Sequence, residues 1–176
     1  MRKRLIPYCH AKNIYEIDIN FFVSQDVKYL FVDLDNTLDS YKTLTPSKKA
    51  IELKKKLDDV NIELIIVSNN TSKRVSNYAE ALNVKYFSGV RKPFSAKLNK
   101  IIDNNQYDRK NIMMIGDQVV TDIQSANGAN VRSILVDKLV KEDQPTTRFN
   151  RIFDKIYRKK LIKKHLYKEW GELYGN

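Results

Sequence analysis

Asp33 and Asp35 stand two residues apart at the end of the apolar run over residues 28–33, KYLFVD. Side chains at i and i+2 of an extended chain point to the same side, and two carboxylates so close would raise each other's pKa. A divalent cation removes that conflict. Asp117, after another apolar run, could complete an oxygen shell of the kind Mg²⁺ takes, with few carboxylates plus water and substrate oxygens. Ser68 and Asn69 offer a hydroxyl and backbone N–H donors in a loop leading into a helix, where anions are well received. Lys92 adds a cation for charge developing on a transferring phosphoryl group. Acids, metal, hydroxyl and lysine together describe phosphoryl transfer through an aspartyl intermediate.

These residues need elements to hold them. Residues 28–33, 61–68, 84–87, 111–116 and 131–136 read as five strands. Between them the pattern predicts four helices. The first opens with Thr45 as N-cap and Pro46 at the first helical position, carrying an apolar stripe of Ile51, Leu53, Leu57 and Val60. The others span 71–82, 93–104 (Phe94, Leu98, Ile101 and Ile102 on one face) and 119–127, closed by Gly128. Alternating strands and helices imply an α/β, Rossmann-like three-layer sandwich around a mostly parallel five-stranded sheet. Sites in such sheets lie beyond the carboxyl ends of the strands. Asp33, Ser68, Lys92 and Asp117 all follow strands, so they converge on one rim.

Singly, each residue has a plainer use. Asp-x-Asp suits an exposed turn, Ser68 a helix cap and Lys92 a solvated charge. A calcium loop would need Gly where Leu38 stands and an acid where Leu44 stands. A receiver domain would need Asp after the third strand, where Ser88-Gly89 follows. Co-occurrence at successive strand ends favours the functional reading.

Composition narrows the setting. The 176 residues amount to one domain with room for an extension, able to bury roughly 70% of its unfolded surface. One cysteine, Cys9, and two histidines, His10 and His165, exclude a disulfide framework and a closed zinc site, and have no assigned role beyond packing. No apolar stretch approaches the roughly 20 residues of a membrane span. Arg2-Lys3-Arg4 is followed by Pro7, His10, Lys12 and Asn13, which interrupt any signal-peptide core. A reduced, cytoplasmic protein is expected. The net charge of +11 is uneven: the first four residues carry +3, residues 148–176 carry +6, and the middle is nearly neutral. Basic ends fit a polyanionic partner such as a membrane surface or nucleic acid; a lysine-rich proteome with solvated ends is the plainer account.

The motifs resemble those of the haloacid dehalogenase (HAD) superfamily of phosphohydrolases. Asp33-Leu34-Asp35-Asn36-Thr37 is similar to its first motif, DxDxT. Ile66-Val67-Ser68-Asn69-Asn70 is similar to the second, Lys92-Pro93 to the third, and Gly116-Asp117…Asp122 to the fourth. Leu5-Ile6-Pro7, Gly116-Asp117-Gln118 and Thr147-Arg148-Phe149-Asn150-Arg151 resemble the YqeG-like branch of subclass IIIA. The resemblance implies Asp33 as nucleophile and Mg²⁺ ligand. It implies Asp35 as general acid, then base, with its carbonyl on the metal. Thr37, Ser68 and Asn69 would bind phosphate with Lys92, Asp117 would ligate the metal, and Asp122 would support Lys92 or a metal-bound water.

Family members acting on small molecules usually carry a cap domain between these motifs. Here 35 residues separate Asp33 from Ser68 and 24 separate Ser68 from Lys92, too few for one. The expected division is an N-terminal extension over 1–27, a catalytic domain over 28–147 and a basic C-terminal helix over 148–176. That helix would either pack on the core or meet an anionic membrane as a peripheral contact at its inner face. The YqeG-like branch resembles mitochondrial phosphatases that convert phosphatidylglycerophosphate to phosphatidylglycerol, so that lipid is the expected substrate. The alternatives are a phosphoprotein or nucleic-acid end, or a non-catalytic RNA- or ribosome-binding module.

Overall fold

The computed structural model describes residues 3–140 and 148–174, except for the side chains of 148–150. Arg2 of the basic start, Thr147, and the side chains of Phe149 and Asn150 in the flanking motif therefore lie outside the described residues. The elements run β1 (Cys9–Ala11), α1 (Ile19–Ser24), β2 (Tyr29–Val32), α2 (Lys48–Asp59), β3 (Glu63–Val67), α3 (Lys73–Leu82) and β4 (Lys85–Phe87). They continue with α4 (Ala96–Asn104), β5 (Ile112–Gly116), α5 (Gln124–Gly128), β6 (Arg132–Val136), α6 (Arg148–Lys163) and β7 (Lys168–Glu169).

The strands form one sheet in the order β4-β3-β2-β5-β6-β1-β7, and each pairing among the described residues is parallel. The fold is the expected Rossmann-like α/β sandwich, but the sheet has seven strands rather than five. The two additions, β1 and β7, have three and two residues. Such short runs carry no readable period-two pattern; pairing with β6 makes β1 a strand, and pairing with β1 makes β7 one.

Side chains alternate across the sheet and divide the core. Leu30 and Val32 of β2, Leu64 and Ile66 of β3, and Met113 and Ile115 of β5 meet α1, α2 and α3 on one face. Phe31, Ile65 and Val67, with Ile112 and Met114, meet α4 and α5 on the other. Strands buried on both faces read as unbroken apolar runs, which is why these three were legible.

Several boundaries shift for local reasons. Ser47, not Thr45, caps α2: its side-chain oxygen accepts the Ala50 N–H at 3.2 Å. Within α2, Ala50, Leu53 and Leu57 are buried and Ile51 is exposed. α4 begins at Ala96, so Phe94 falls in the preceding turn and is 72% exposed. Residues 119–127 do not form one α-helix; Val119–Ile123 is a π-helical turn leading into α5.

From β2 the chain steps to β3 and β4 on one side, then returns to β5 on the other. The order reverses between β2 and β5, the place where open α/β sheets form a crevice at their carboxyl ends. Asp33 continues the β2–β5 ladder, its N–H donating to Ile115 O at 2.9 Å, so the first and fourth motifs lie side by side.

His10 ties the added strands together. Its Nδ1 lies 3.0 Å from both Glu169 oxygens and its Nε2 3.4 Å from Asp137 Oδ1, with the ring 5.2 Å from that of Tyr167. Burial opposes the imidazolium, but the hydrogen bonds to Asp137 and Glu169 outweigh it and raise the pKa above the ordinary 6.5. Such a group stabilises the fold fully below about pH 6.5 and loses that contribution as pH rises through the folded pKa. Thermal melts of the native protein and His10→Gln should therefore differ most near pH 6 and converge by about pH 9. A gap that widens with pH would contradict this account.

Candidate active site

Asp33 is buried at the end of β2. Beyond it the chain coils tightly: Leu38 and Asp39 donate backbone N–H groups to Leu34 O at 3.2 and 3.1 Å, and Asn36 donates to Asp39 O at 2.7 Å. Asn36 takes φ +67°, a conformation asparagine accepts more readily than most residues. The turn holds Asp35 at the rim and buries Thr37, whose Oγ1 has no hydrogen-bond partner. A fully buried hydroxyl without a protein partner can donate to a ligand oxygen or to water. Ser68 Oγ accepts the Asn70 N–H at 3.1 Å, which leaves its own proton to donate.

Lys92 is the hub. Its ammonium donates to Asp33 Oδ1 at 2.6 Å, Asp122 Oδ1 at 2.7 Å and Val67 O at 2.9 Å, using all three protons. Its backbone is clamped by Asn69, whose amide nitrogen donates to Lys92 O at 2.9 Å and whose Oδ1 accepts the Lys92 N–H at 2.7 Å. The Asn69 side chain thus positions the lysine, while its backbone N–H is the group read as an anion donor. Asp122 spends its second oxygen on the Gln118 N–H at 3.0 Å. Its side chain lies so close to Gly116 that a Cβ there would stand 2.3 Å from Asp122 Cβ.

Asp33, Asp117 and Asp122 each offer an oxygen within 4.8 Å of the others, all buried. Asp117 Oδ2 accepts Arg151 Nη2 at 2.6 Å, while Oδ1 is buried without a partner. Burial first, then the neighbouring carboxylates, push Asp33 up to about 7 and Asp117 up to about 6, against the pull of Lys92 and Arg151. Burial disfavours the Lys92 ammonium, but Asp122 and Asp33 outweigh it and raise the lysine's pKa. The cluster holds more negative charge than its cations balance. A divalent cation fits this donor set: Asp33 and the orphaned Asp117 oxygen would hold it, with Asp122 already committed to Lys92 and Gln118. The Asp35 carboxylate stands outside the cluster, paired with Arg74 Nη2.

Several contributors escaped sequence reading. Asp39 Oδ2 accepts Tyr78 OH at 2.5 Å and the Ser47 N–H at 2.9 Å, tying the first motif to α2 and α3. The inner face of α6 carries Arg151, Asp154 and Arg158. Asp154 Oδ1 accepts the Val119 N–H at 2.6 Å, and Arg158 Nη2 donates to Asp117 O and Val136 O, both at 2.6 Å. Their spacing of three and four residues marked one helical face, but nothing in the sequence said what that face would meet.

Comparison with known proteins identifies the family. A model of the haloacid dehalogenase-like hydrolases matches residues 9–136. A probable phosphatase, YqeG of Bacillus subtilis (strain 168), is 31% identical over 151 residues, 86% of this chain and 88% of that protein. An uncharacterised Listeria monocytogenes serotype 4b protein superposes with a TM-score of 0.55 at 14% identity, covering 76% of this chain and 99% of that one. A putative 3-deoxy-D-manno-octulosonate 8-phosphate phosphatase from Vibrio cholerae gives 0.53 at 16% identity, covering 84% and 94%. At these identities the two structures show the shared fold.

Two substitutions test the centre. Gly116→Ala should lower stability by about 2 kcal/mol in denaturant titration, because the added methyl displaces Asp122 from Lys92. Arg151→Ala strands the buried Asp117 carboxylate and should cost about 3 kcal/mol. A loss below about 1 kcal/mol would show that Arg151 is not an integral part of the centre.

Proposed function

We propose that this chain, which belongs to the haloacid dehalogenase-like hydrolases and is a phosphatase of that family, hydrolyses phosphatidylglycerophosphate to phosphatidylglycerol with Mg²⁺ and an aspartyl-phosphate intermediate. The observation that carries the chemistry is the buried cluster of Asp33, Asp117 and Asp122 around Lys92, with one Asp117 oxygen unspent. Bound at Asp33 and Asp117, Mg²⁺ would offset the negative charge of the phosphoryl group as its bonds change.

The side chains divide the work. Asp33 attacks phosphorus; the new Asp33–phosphorus bond forms as the bond to the leaving alcohol breaks. Asp35 donates the proton that the leaving oxygen takes. Thr37 and Ser68 hydroxyls hold the phosphoryl oxygens, and Lys92 orients Asp33 and favours its ionised form against burial. In the second half Asp35 accepts a proton from water, the water oxygen bonds to phosphorus, and Asp33 is released as carboxylate.

The lipid substrate is supported by the approach to the site. Only α2 with its loops lies between β2 and β3, and only α3 and β4 between Ser68 and Lys92, which fits an open, cap-free centre reached by a large carrier. On its outer side α6 exposes Ile152, at 59%, with Phe153 and Ile156, among the exposed Lys155, Lys159, Lys160 and Lys163. Apolar side chains bordered by lysines suit a peripheral contact with an anionic leaflet. The inner side of the same helix grips Asp117. Packing and docking are thus divided between two faces of one element. Among the described residues no helix is long and apolar enough to cross a membrane.

Phosphate release from phosphatidylglycerophosphate in vesicles should require Mg²⁺ and fall by at least about a thousandfold in Asp33→Asn. Preference for a phosphopeptide or a nucleic-acid 5′-phosphate would replace the lipid substrate. Ordinary turnover by Asp33→Asn would remove the mechanism. Replacing Ile152, Phe153 and Ile156 with Ser should weaken sedimentation with anionic vesicles by about tenfold or more without lowering the melting temperature. Unchanged sedimentation would leave the outer face of α6 as a solvated surface.

A further inference from the structure

We infer that Arg74 forms a second anion subsite on the leaving-group side of the centre, reading a phosphodiester carried by the leaving alcohol. This deepens the phosphatase reading and rests on it. Arg74 lies in the first turn of α3 with its side chain 12% exposed. Its Nη2 pairs with an Asp35 oxygen, and its Nη1 donates to Thr43 O at 2.7 Å. The two cations nearest the first motif therefore stand apart in role. Lys92 is committed to Asp33, Asp122 and a backbone carbonyl, beside the attacking carboxylate. Arg74 stands at Asp35, the group that protonates the leaving oxygen.

The shape of the pairing points to recognition as well as charge balance. An arginine that spends both terminal nitrogens on one carboxylate in a bidentate pair has its fork filled by that partner. Here the fork is split between Asp35 and a carbonyl of the loop after the first motif, so the guanidinium is fixed in place. Five donors in one plane can serve Asp35, Thr43 and a further acceptor together. Ser72, the N-cap residue of α3, makes no side-chain cap, so the positive end of this ten-residue helix adds to the attraction. Leu44, which follows Thr43 in the chain, is 71% exposed. A leaving alcohol that carries a phosphodiester would bring its anion to the guanidinium beside Asp35.

The test compares two phosphomonoesters, one without and one with a phosphodiester and its short-chain diacylglycerol on the leaving alcohol: glycerol 3-phosphate and a soluble short-chain phosphatidylglycerophosphate. Arg74→Gln should raise KM for the second by about thirtyfold, the scale of one charge-assisted hydrogen-bond pair, and for the first by about threefold at most. Any impairment of Asp35 falls on both substrates alike, so the ratio is the readout. Arg74→Lys should recover part of the loss, because it keeps the charge without the fork. Inhibition by inorganic phosphate should stay unchanged, and glycerophosphoglycerol, which has the diester and no monoester, should bind the native protein and fail to bind Arg74→Gln in calorimetry. Equal losses of kcat on both substrates would make Arg74 a positioning residue for Asp35 alone. A parallel rise in the phosphate inhibition constant would move it to the transferred phosphate. Either result overturns the subsite. Failure of the native protein to hydrolyse either ester would count against the phosphatase reading, while the diester-binding comparison still decides Arg74.

Discussion

The buried ammonium of Lys92 is the interaction around which the centre is assembled. A charge in this position is tolerable only when its protons are all spent, and three acceptors from three segments meet it: Asp33 after β2, Val67 at the end of β3 and Asp122 beyond β5. Without it the two carboxylates would face each other unbalanced. Asp33 and Asp122 would repel, and Asp122 would lose its reason to lie against Gly116. The Asn69 side chain locks the Lys92 backbone from the opposite side. Four strand ends are thereby joined by one side chain.

The same electrostatics explain why the carboxyl rim is layered outward with arginines. Burial disfavours the anions of Asp33 and Asp117, whose pKa values are raised. Arg151 and Arg158 from α6 answer Asp117 at its side chain and its carbonyl, and Arg74 from α3 answers Asp35. Arg158 also donates to Asp137, which lies near His10 on β1, which in turn meets Glu169 on β7. A series of hydrogen bonds and ion pairs runs from Asp117 to the far edge of the sheet. The short added strands and the final helix are thereby tied to the candidate site, although they contribute little to the apolar core.

α6 changes meaning in this light. In sequence its basic residues form one undivided excess of positive charge. In the fold Arg151 and Arg158 point inward and are consumed by acids, while Lys155, Lys159, Lys160 and Lys163 remain on the outside with exposed apolar neighbours. Net charge counted along the chain overstated what is available to a partner and hid what the site uses.

The pattern of candidate site residues was legible because it is local. Asp33, Asp35, Ser68, Lys92 and Asp117 each follow a strand, and strands buried on both faces announce themselves as unbroken apolar runs. Their convergence followed from parallel α/β geometry alone. Helix starts were less legible, since Thr45-Pro46 and Ser47 offer competing caps within three residues and only the packed backbone chose Ser47. What sequence could not supply was any pairing that joins distant residues: β1 and β7 as strands, Asn69 on Lys92, Arg151 on Asp117, Arg74 on Asp35. Periodicity and motif spacing are short-range signals, whereas a three-residue strand or a buried ion pair exists only once its partner has been brought alongside. The sequence by itself determined the kind of chemistry and the sheet that presents it; tertiary structure decided which charges neutralise one another and which remain for a substrate.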